Sequence, residues 1–470
     1  MSISTSDQHA TLNQRMIYHY PLFISLYFLV AAPIAVIYTK EWSFFENLLR
    51  ILTSPSKLVT DYFALGGLGS TLFNAAICGL IANLMVYLSR AKANATILAG
   101  YMLIVAHCFY GLNFLNMWPP FFGILLYCLV TKKKLSENIH IAFFSTALSP
   151  FVSELCFRYC VENYDPTVIS VNWIGVLLSL VCGLAIGFVV PALLPGTAAM
   201  HRGYNLYKAG LAIGILGIFL NAFMYNSLGV DKPENLVINN DAYYQLPYGY
   251  RGFMNVFFII LFAITFAAGI IYNKKGIHRY RELLRCTGYG TDFTDKFGMP
   301  VCMINIAVYG LAILAYLNVV FILPELWGAL PEGVGFTGAT AGIIFAALTF
   351  AADGQHIKNV FPIVVGYVLL FAIVVVISLI AGFDIPWTLS TQAYINGLAF
   401  ATGLCPFAGK YGFRYGVIAG LMSAIICAIT AEMHGGFVLY NGGFNAGLTA
   451  LVLIPILDFY HVTPTREDDV

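Results

Sequence analysis

The chain has 470 residues, 59% hydrophobic and 10% charged, with a formal net charge of +1 and a mean hydropathy of +0.80. A soluble globular domain carries about 25% charged residues, so this composition excludes a soluble enzyme, a nucleic-acid binder and a disordered chain. What remains is a polytopic helical membrane protein, in which charged clusters separate apolar runs of about 17 to 25 residues, long enough for a hydrocarbon core about 30 Å thick.

In chain order the apolar runs predict fourteen spans: 18–38, 69–89, 94–113, 117–131, 140–157, 168–193, 206–227, 252–273, 301–321, 335–353, 360–381, 387–405, 414–431 and 446–460. The fifth and twelfth are the weakest, each with a proline near its end, Pro150 and Pro406. The first 17 residues are polar with one basic residue, Arg15, and the run after them is too long for a signal-peptide core, so it reads as a membrane helix. The ten cysteines lie mostly inside apolar runs, without CxxC spacing, and read as small apolar fillers. With the N-terminus inside, 18 of the 24 Lys and Arg residues fall on the cytoplasmic side; the exceptions are Lys40, Arg50, Lys57, Arg158, Lys232 and Arg251. The loop 274–296 alone carries six of the 18. The positive-inside rule therefore places both termini in the cytoplasm.

The chain repeats itself. Thr60-Asp61-Tyr62, Gly67, Asn74 and Gly79-Leu80 recur as Thr291-Asp292-Phe293, Gly298, Asn305 and Gly310-Leu311. Gly111, Asn116, Pro119 and Gly123 recur as Gly354, Asn359, Pro362 and Gly366. Phe144, Thr146, Leu148, Pro150-Phe151 and Phe157-Arg158-Tyr159 recur as Phe400, Thr402, Leu404, Pro406-Phe407 and Phe413-Arg414-Tyr415. Met200-His201, Gly203, Leu206-Tyr207, Gly210 and Gly214 recur as Met433-His434, Gly436, Leu439-Tyr440, Gly443 and Gly447. Residues 1–228 form a first membrane repeat with core homology over 60–227; residues 229–470 form a second with core homology over 291–460. Seven spans per repeat is an odd number, so the second copy is expected to enter the membrane from the opposite side. The expected fold is all-α, two seven-helix inverted-topology repeats with proline-broken helices, an arrangement that places transporter sites at the repeat interface.

Polar groups inside a bilayer are costly unless paired, which singles out a few residues. Thr146, Ser149, Ser153 and Thr402 flank the proline breaks and are candidate substrate ligands; the alternative is a kinked helix with satisfied hydroxyls. Asn74 and Asn305 are candidates of the same kind, or interhelical hydrogen-bond donors. Glu154 and Lys410 occupy equivalent positions with opposite charge and are candidates for gating or coupling, against a reading in which Glu154 simply pairs with Arg158 at i,i+4. His201 and His434, each followed by a tyrosine, Tyr207 and Tyr440, are candidate proton-coupling residues, or structural histidines at helix starts. His107 and Asp353 lack matching partners in the other copy and read as structural. No metal-ligand spacing, nucleotide loop or catalytic motif occurs, so no enzyme activity and no cofactor is expected.

The Thr-Asp-aromatic motif with its downstream Asn, the Leu-Ser/Cys-Pro-Phe run and the His-x-Gly-aromatic-x-Leu-Tyr motif resemble a bacterial membrane family known as domain of unknown function fifteen seventy-six. The resemblance covers about residues 50–460 and implies a bacterial inner-membrane protein with two copies of the repeat, without an activity. The copies differ most between their third and fourth blocks: Arg158 to His201 against the shorter Arg414 to His434. The functional expectation is a secondary transporter for a small polar solute, coupled to protons or sodium ions. The alternatives are a channel, or an intramembrane enzyme or lipid-handling protein. The expected partners are the lipid bilayer and the small-molecule substrate, with no nucleic acid; the sequence leaves a homo-oligomer open.

Overall fold

A computed structural model describes residues 5–58, 60–159, 161, 169–230, 250–273, 275–328, 330 and 336–466, with side chains in the first helix described from Leu12. Lys232, Lys274 and the first residues of the runs 168–193 and 335–353 lie outside the described residues. The first repeat contains α1 (Thr5–Thr39), α2 (Phe44–Thr53), α3 (Tyr62–Ser89), α4 (Ala95–His107), α5 (Trp118–Thr131), α6 (Leu135–Ser145), α7 (Ser149–Phe157), α8 (Trp173–His201) and α9 (Lys208–Ala222). The second contains α10 (Arg251–Tyr272), α11 (Gly276–Leu283), α12 (Phe293–Lys296), α13 (Met299–Leu326), α14 (Gly338–Ala347), α15 (Ile357–Ala381), α16 (Gln392–Ala401), α17 (Cys405–Tyr411), α18 (Phe413–Met433) and α19 (Asn441–Phe459).

The protein is all-helical and multi-pass in character: among the described residues, ten helices are long and apolar enough to cross a membrane. The other four of the fourteen expected runs form shorter helical segments. The runs 94–113, 117–131 and 335–353 form the shorter helices α4, α5 and α14, and the run 387–405 forms α16 and a 3-10 turn, Thr402–Leu404, leading into α17. A glycine turn follows two of them, α4 and α14. Gly111 and Gly354 turn the buried chain at φ of 129° and 122°, a region that residues with a Cβ rarely adopt.

A helix end inside an apolar interior leaves carbonyls that need donors. Asn74 of α3 donates to the carbonyls of Cys108 (3.0 Å) and Leu112 (2.9 Å), both amide hydrogens used on the turn after α4. Asn305 of α13 does the same to Ala351 and Gln355, both at 2.7 Å, after α14. Asn116 and Asn359 then bond the carbonyls of Gly111 and Gly354, each at 2.9 Å. The starts of α3 and α12 are also alike. Asp61 caps Phe63 N at 2.9 Å and Asp292 caps Thr294 N at 2.7 Å. The chain then kinks at Gly67 (φ 74°) and Gly298 (φ 86°). The amide after each kink is capped from a distance: Leu68 N by Glu41 at 3.0 Å, Met299 N by Asn13 at 2.6 Å.

The repeats interlock. Leu439 N donates to the carbonyl of Ala147 at 2.9 Å, and the equivalent Leu206 N donates to the equivalent Gly403 at 3.0 Å. Each acceptor lies in the short 3-10 turn that interrupts the broken helix, Thr146–Leu148 or Thr402–Leu404. The carbonyl released at each break is therefore satisfied by the turn that leads into the last helix of the other repeat. Those last helices, α9 and α19, pack together, and the equivalent glycines 210 and 443 touch: a Cβ on Gly210 would lie 2.4 Å from the carbonyl carbon of Gly443. α4 packs on its equivalent α14. α1 and α10 run antiparallel, with Tyr38 against Phe253, Tyr27 against Phe257 and Tyr20 against Thr265.

Two predictions follow from this packing. Gly210→Ala lowers stability by about 1–3 kcal/mol, the range for overpacking a filled core. Gly443→Ala costs less, because its Cβ meets nothing nearer than 3.2 Å; thermal unfolding of the two purified variants ranks them. Asn74→Leu leaves two buried carbonyls without their donor, costing about 1–3 kcal/mol for each group. Asn305→Leu matches it, and faster proteolysis between α4 and α5 in the first variant and between α14 and α15 in the second locates the damage.

Candidate functional site

The residues singled out in the sequence divide into two groups. The hydroxyls beside the helix breaks are mostly used inside their own segments. Thr146 donates to Phe143 O at 2.7 Å, and Thr402 donates to Ala399 O at 2.7 Å while accepting from Gln355 at 2.7 Å. Ser153 accepts from Asn116 at 2.9 Å. Among the described residues the buried Ser149 hydroxyl has no hydrogen-bond partner, and its equivalent is Cys405. Pro150 and Pro406 sit in the first turn of α7 and α17, where the missing N–H costs nothing. Asn74 and Asn305 spend both donors on the turns described above. Glu154, 1% exposed, lies 3.6 Å from Arg158. Lys410 sits 4.2 Å from the ring centroid of Tyr289. Each member of this opposite-charge pair thus has its own neighbour.

The second group surrounds the repeat interface. His201 accepts from Gly203 N at 3.3 Å, and His434 bonds the Asn441 side chain at 2.9 Å. Tyr207 and Tyr440 lie on a partly open cavity of about 370 Å³. Both repeats build its wall. Thr96 and Leu103 come from α4, Phe144 from α6, and Gly203 through Ala209 in part from the turn into α9; Tyr289 through Asp292, Phe350, Asp353 and Tyr440 come from the second repeat. Lys208, Asp292 and Asp353 supply the charge of the lining. Behind it, His107 packs its ring 4.9 Å from Tyr440 and 5.6 Å from Tyr110. His107 Nε2, the Tyr110 hydroxyl and the Tyr440 hydroxyl are buried with no hydrogen-bond partner among the described residues.

Equivalent contacts differ at the two ends of the interface. Asp61 accepts from Gly338 N, at the start of α14, at 2.8 Å. The corresponding contact would join Asp292 to Ala95 at the start of α4. Among the described residues Asp292 instead bonds its own helix, through Thr294 N, Thr294 Oγ1 (2.6 Å) and Asp295 N (3.1 Å), and it lines the cavity together with Thr96. Leu58 N bonds Gly436 O at 2.8 Å; at the equivalent place the Tyr289 hydroxyl reaches Arg202 O at 2.7 Å. Tyr207 donates its hydroxyl to Ala346 O, whereas the Tyr440 hydroxyl has no partner, although Leu103, the equivalent of Ala346, shares its cavity. One end is sealed by direct contacts; at the other the same positions stand apart around a cavity.

Lys208, Asp292, Tyr110 and Tyr289 were not singled out in the sequence, and His107 and Asp353 were read as structural. A signal for them was present in the repeat. His107 replaces Phe350, and Tyr110 replaces Asp353, between otherwise matching blocks. Of these four residues Phe350 and Asp353 line the cavity, and His107 packs behind it against Tyr440.

No curated protein and no solved structure matches the chain. One family does, over residues 40–226 and again over 272–459, and it is described as "Protein of unknown function (DUF1576)". The two matched regions cover most of the chain and coincide with the two repeats, so the chain belongs to the DUF1576 family and carries its domain twice.

Proposed function

We propose that this protein is a secondary transporter of the bacterial inner membrane, moving a small polar solute by alternating access between two inverted repeats. The observation that carries the reading is the unequal state of equivalent contacts: Asp61 on Gly338 with Tyr207 on Ala346, against Asp292 and Tyr440 facing a cavity. Two halves with the same contacts available can exchange them, and the exchange moves the opening from one end to the other. The antiparallel run of α1 against α10, and the close approach of Gly210 to Gly443, are what a two-fold axis lying in the membrane plane would produce. On the positive-inside assignment the cavity mouth, with Lys208 and Arg202, faces the cytoplasm and both termini lie there. Coupling to protons or sodium ions belongs to the same proposal, with His201 and His434 beside the turns that enter α9 and α19.

Cysteine reactivity in a background cleared of the natural thiols tests it. Thr96→Cys, in the cavity wall, labels with an impermeant maleimide from the Lys208 side. Its equivalent Ala339→Cys, 0% exposed here, labels slowly and from the opposite side. An Asp292→Cys/Ala95→Cys pair, once oxidised, abolishes labelling at position 96 and speeds it at position 339. Failure of position 339 to react under any condition rules out the exchange. Simultaneous fast labelling of both positions in every molecule identifies a channel instead.

A further inference from the structure

Resting on the transporter reading, we infer that the cavity between the repeats is a binding site for a small organic cation bearing an ammonium group, held between Asp353 and the ring of Tyr440. The chemistry of the wall leads there. Its ionisable side chains are Asp292, Asp353 and Lys208; two of the three are carboxyl groups, and both Lys208 and Asp295 lie within electrostatic reach of Asp353. Asp292 has one oxygen occupied by its own helix cap. Asp353 makes no side-chain hydrogen bond among the described residues. An ionisable group in a membrane interior without such a partner marks a functional position.

The rest of the wall is aromatic. Phe144, Tyr207, Tyr289, Phe350 and Tyr440 line the cavity. Ring faces attract ammonium groups, more strongly when water is excluded. Tyr440 is 1% exposed and lines the cavity, and its hydroxyl has no hydrogen-bond partner among the described residues. Its equivalent, Tyr207, has spent that hydroxyl on a backbone carbonyl. What Tyr440 keeps, and Tyr207 does not, is a hydroxyl without a hydrogen-bond partner among the described residues. A volume of about 370 Å³ suits a molecule of a few to a dozen heavy atoms. Lys208 stands at the exposed rim of the cavity. In the exchanged state the opposite opening would present Tyr110 where Asp353 stands now. The acid is supplied by one repeat only.

Binding to the full-length protein in nanodiscs decides the matter, with methylammonium and tetramethylammonium chloride as probes and glycine betaine and acetate as the zwitterionic and anionic comparisons. The ammonium probes raise the melting temperature and bind at least ten-fold more tightly than betaine or acetate. Asp353→Asn weakens methylammonium at least ten-fold, while Tyr440→Leu weakens both ammonium probes and Tyr440→Phe weakens methylammonium more than tetramethylammonium. Asp458→Asn, which removes a surface partner of Arg202, leaves affinity unchanged and controls for net charge. Preference for betaine or acetate, or indifference to Asp353→Asn in a variant that still melts cooperatively, overturns the assignment. The labelling at positions 96 and 339 separates the two ideas. Ammonium binding that leaves reactivity static keeps the site and removes the transport reading. Alternating reactivity without ammonium binding removes the cation and keeps the carrier.

Discussion

Backbone carbonyls released in the middle of an apolar protein have to be met by donors, and this single constraint organises the molecule. Water is absent from a hydrocarbon core, and irregular backbone survives there only when protein groups satisfy it. Each repeat breaks its helices at corresponding places, after α4 and α14 and between the paired segments α6–α7 and α16–α17. The first kind of break is served locally by Asn74 and Asn305, each spending both amide hydrogens on one turn. The second kind is served from the other repeat, by Leu439 N on Ala147 O and Leu206 N on Gly403 O. Separating the repeats would strand both carbonyls at once. The repeats therefore fold as one body, and the interface between them is polar by construction where it needs to be.

Much of this was legible in the sequence. Asn, Pro and Gly at matched spacings announced the duplication, and the shared Asn-Gly pattern of the second block lies on the two buried turns that the structure contains. What the sequence could not separate was a run that crosses from a run that stops midway. Leu, Ile and Phe are as suitable to α4 as to α3, and hydropathy does not register a glycine at φ 129°. The hydroxyls near Pro150 and Pro406 drew notice because buried polar atoms are costly, but a threonine can meet that cost by bonding the carbonyl one turn back, as Thr146 and Thr402 do. Asn13 and Glu41 escaped notice for the converse reason. They sit in segments with no repeat-wide signature, and they cap Met299 N and Leu68 N across large sequence distances.

The cavity was less legible because its chemistry lies where the repeats disagree. Matching blocks draw attention to shared residues, and shared residues here are mainly architectural: the two asparagine latches, the two kinked helix starts and the glycine contact. Phe350 and Asp353 face the cavity where the first copy has His107 and Tyr110. A strictly symmetric pair of halves would bind a ligand equally from either side. On the proposed exchange, substituting one wall would keep the exchangeable contacts while giving the cavity one set of polar groups.

Symmetry of the backbone contacts also bears on how much energy an exchange would involve. The sealed end holds an aspartate on a helix start, a backbone bond between Leu58 and Gly436, and a tyrosine on a carbonyl. Each has an unmade counterpart at the open end, built from equivalent residues. Breaking one set and making the other would exchange like for like apart from the bond of the Tyr289 hydroxyl to Arg202 O, which Leu58 cannot reproduce, so the two states would differ by the positions at which the repeats differ. A gap of a few kcal/mol is enough to populate one state over the other by a hundred-fold or more, and a ligand shifts the balance only through its unequal affinity for the two. The residues placed to create that inequality are the asymmetric ones, Asp353 opposite Tyr110 and His107 opposite Phe350, beside a tyrosine whose hydroxyl is unpartnered while its twin is bonded. The same substitutions that single out the site are thus the ones that would let its occupant govern which end is open.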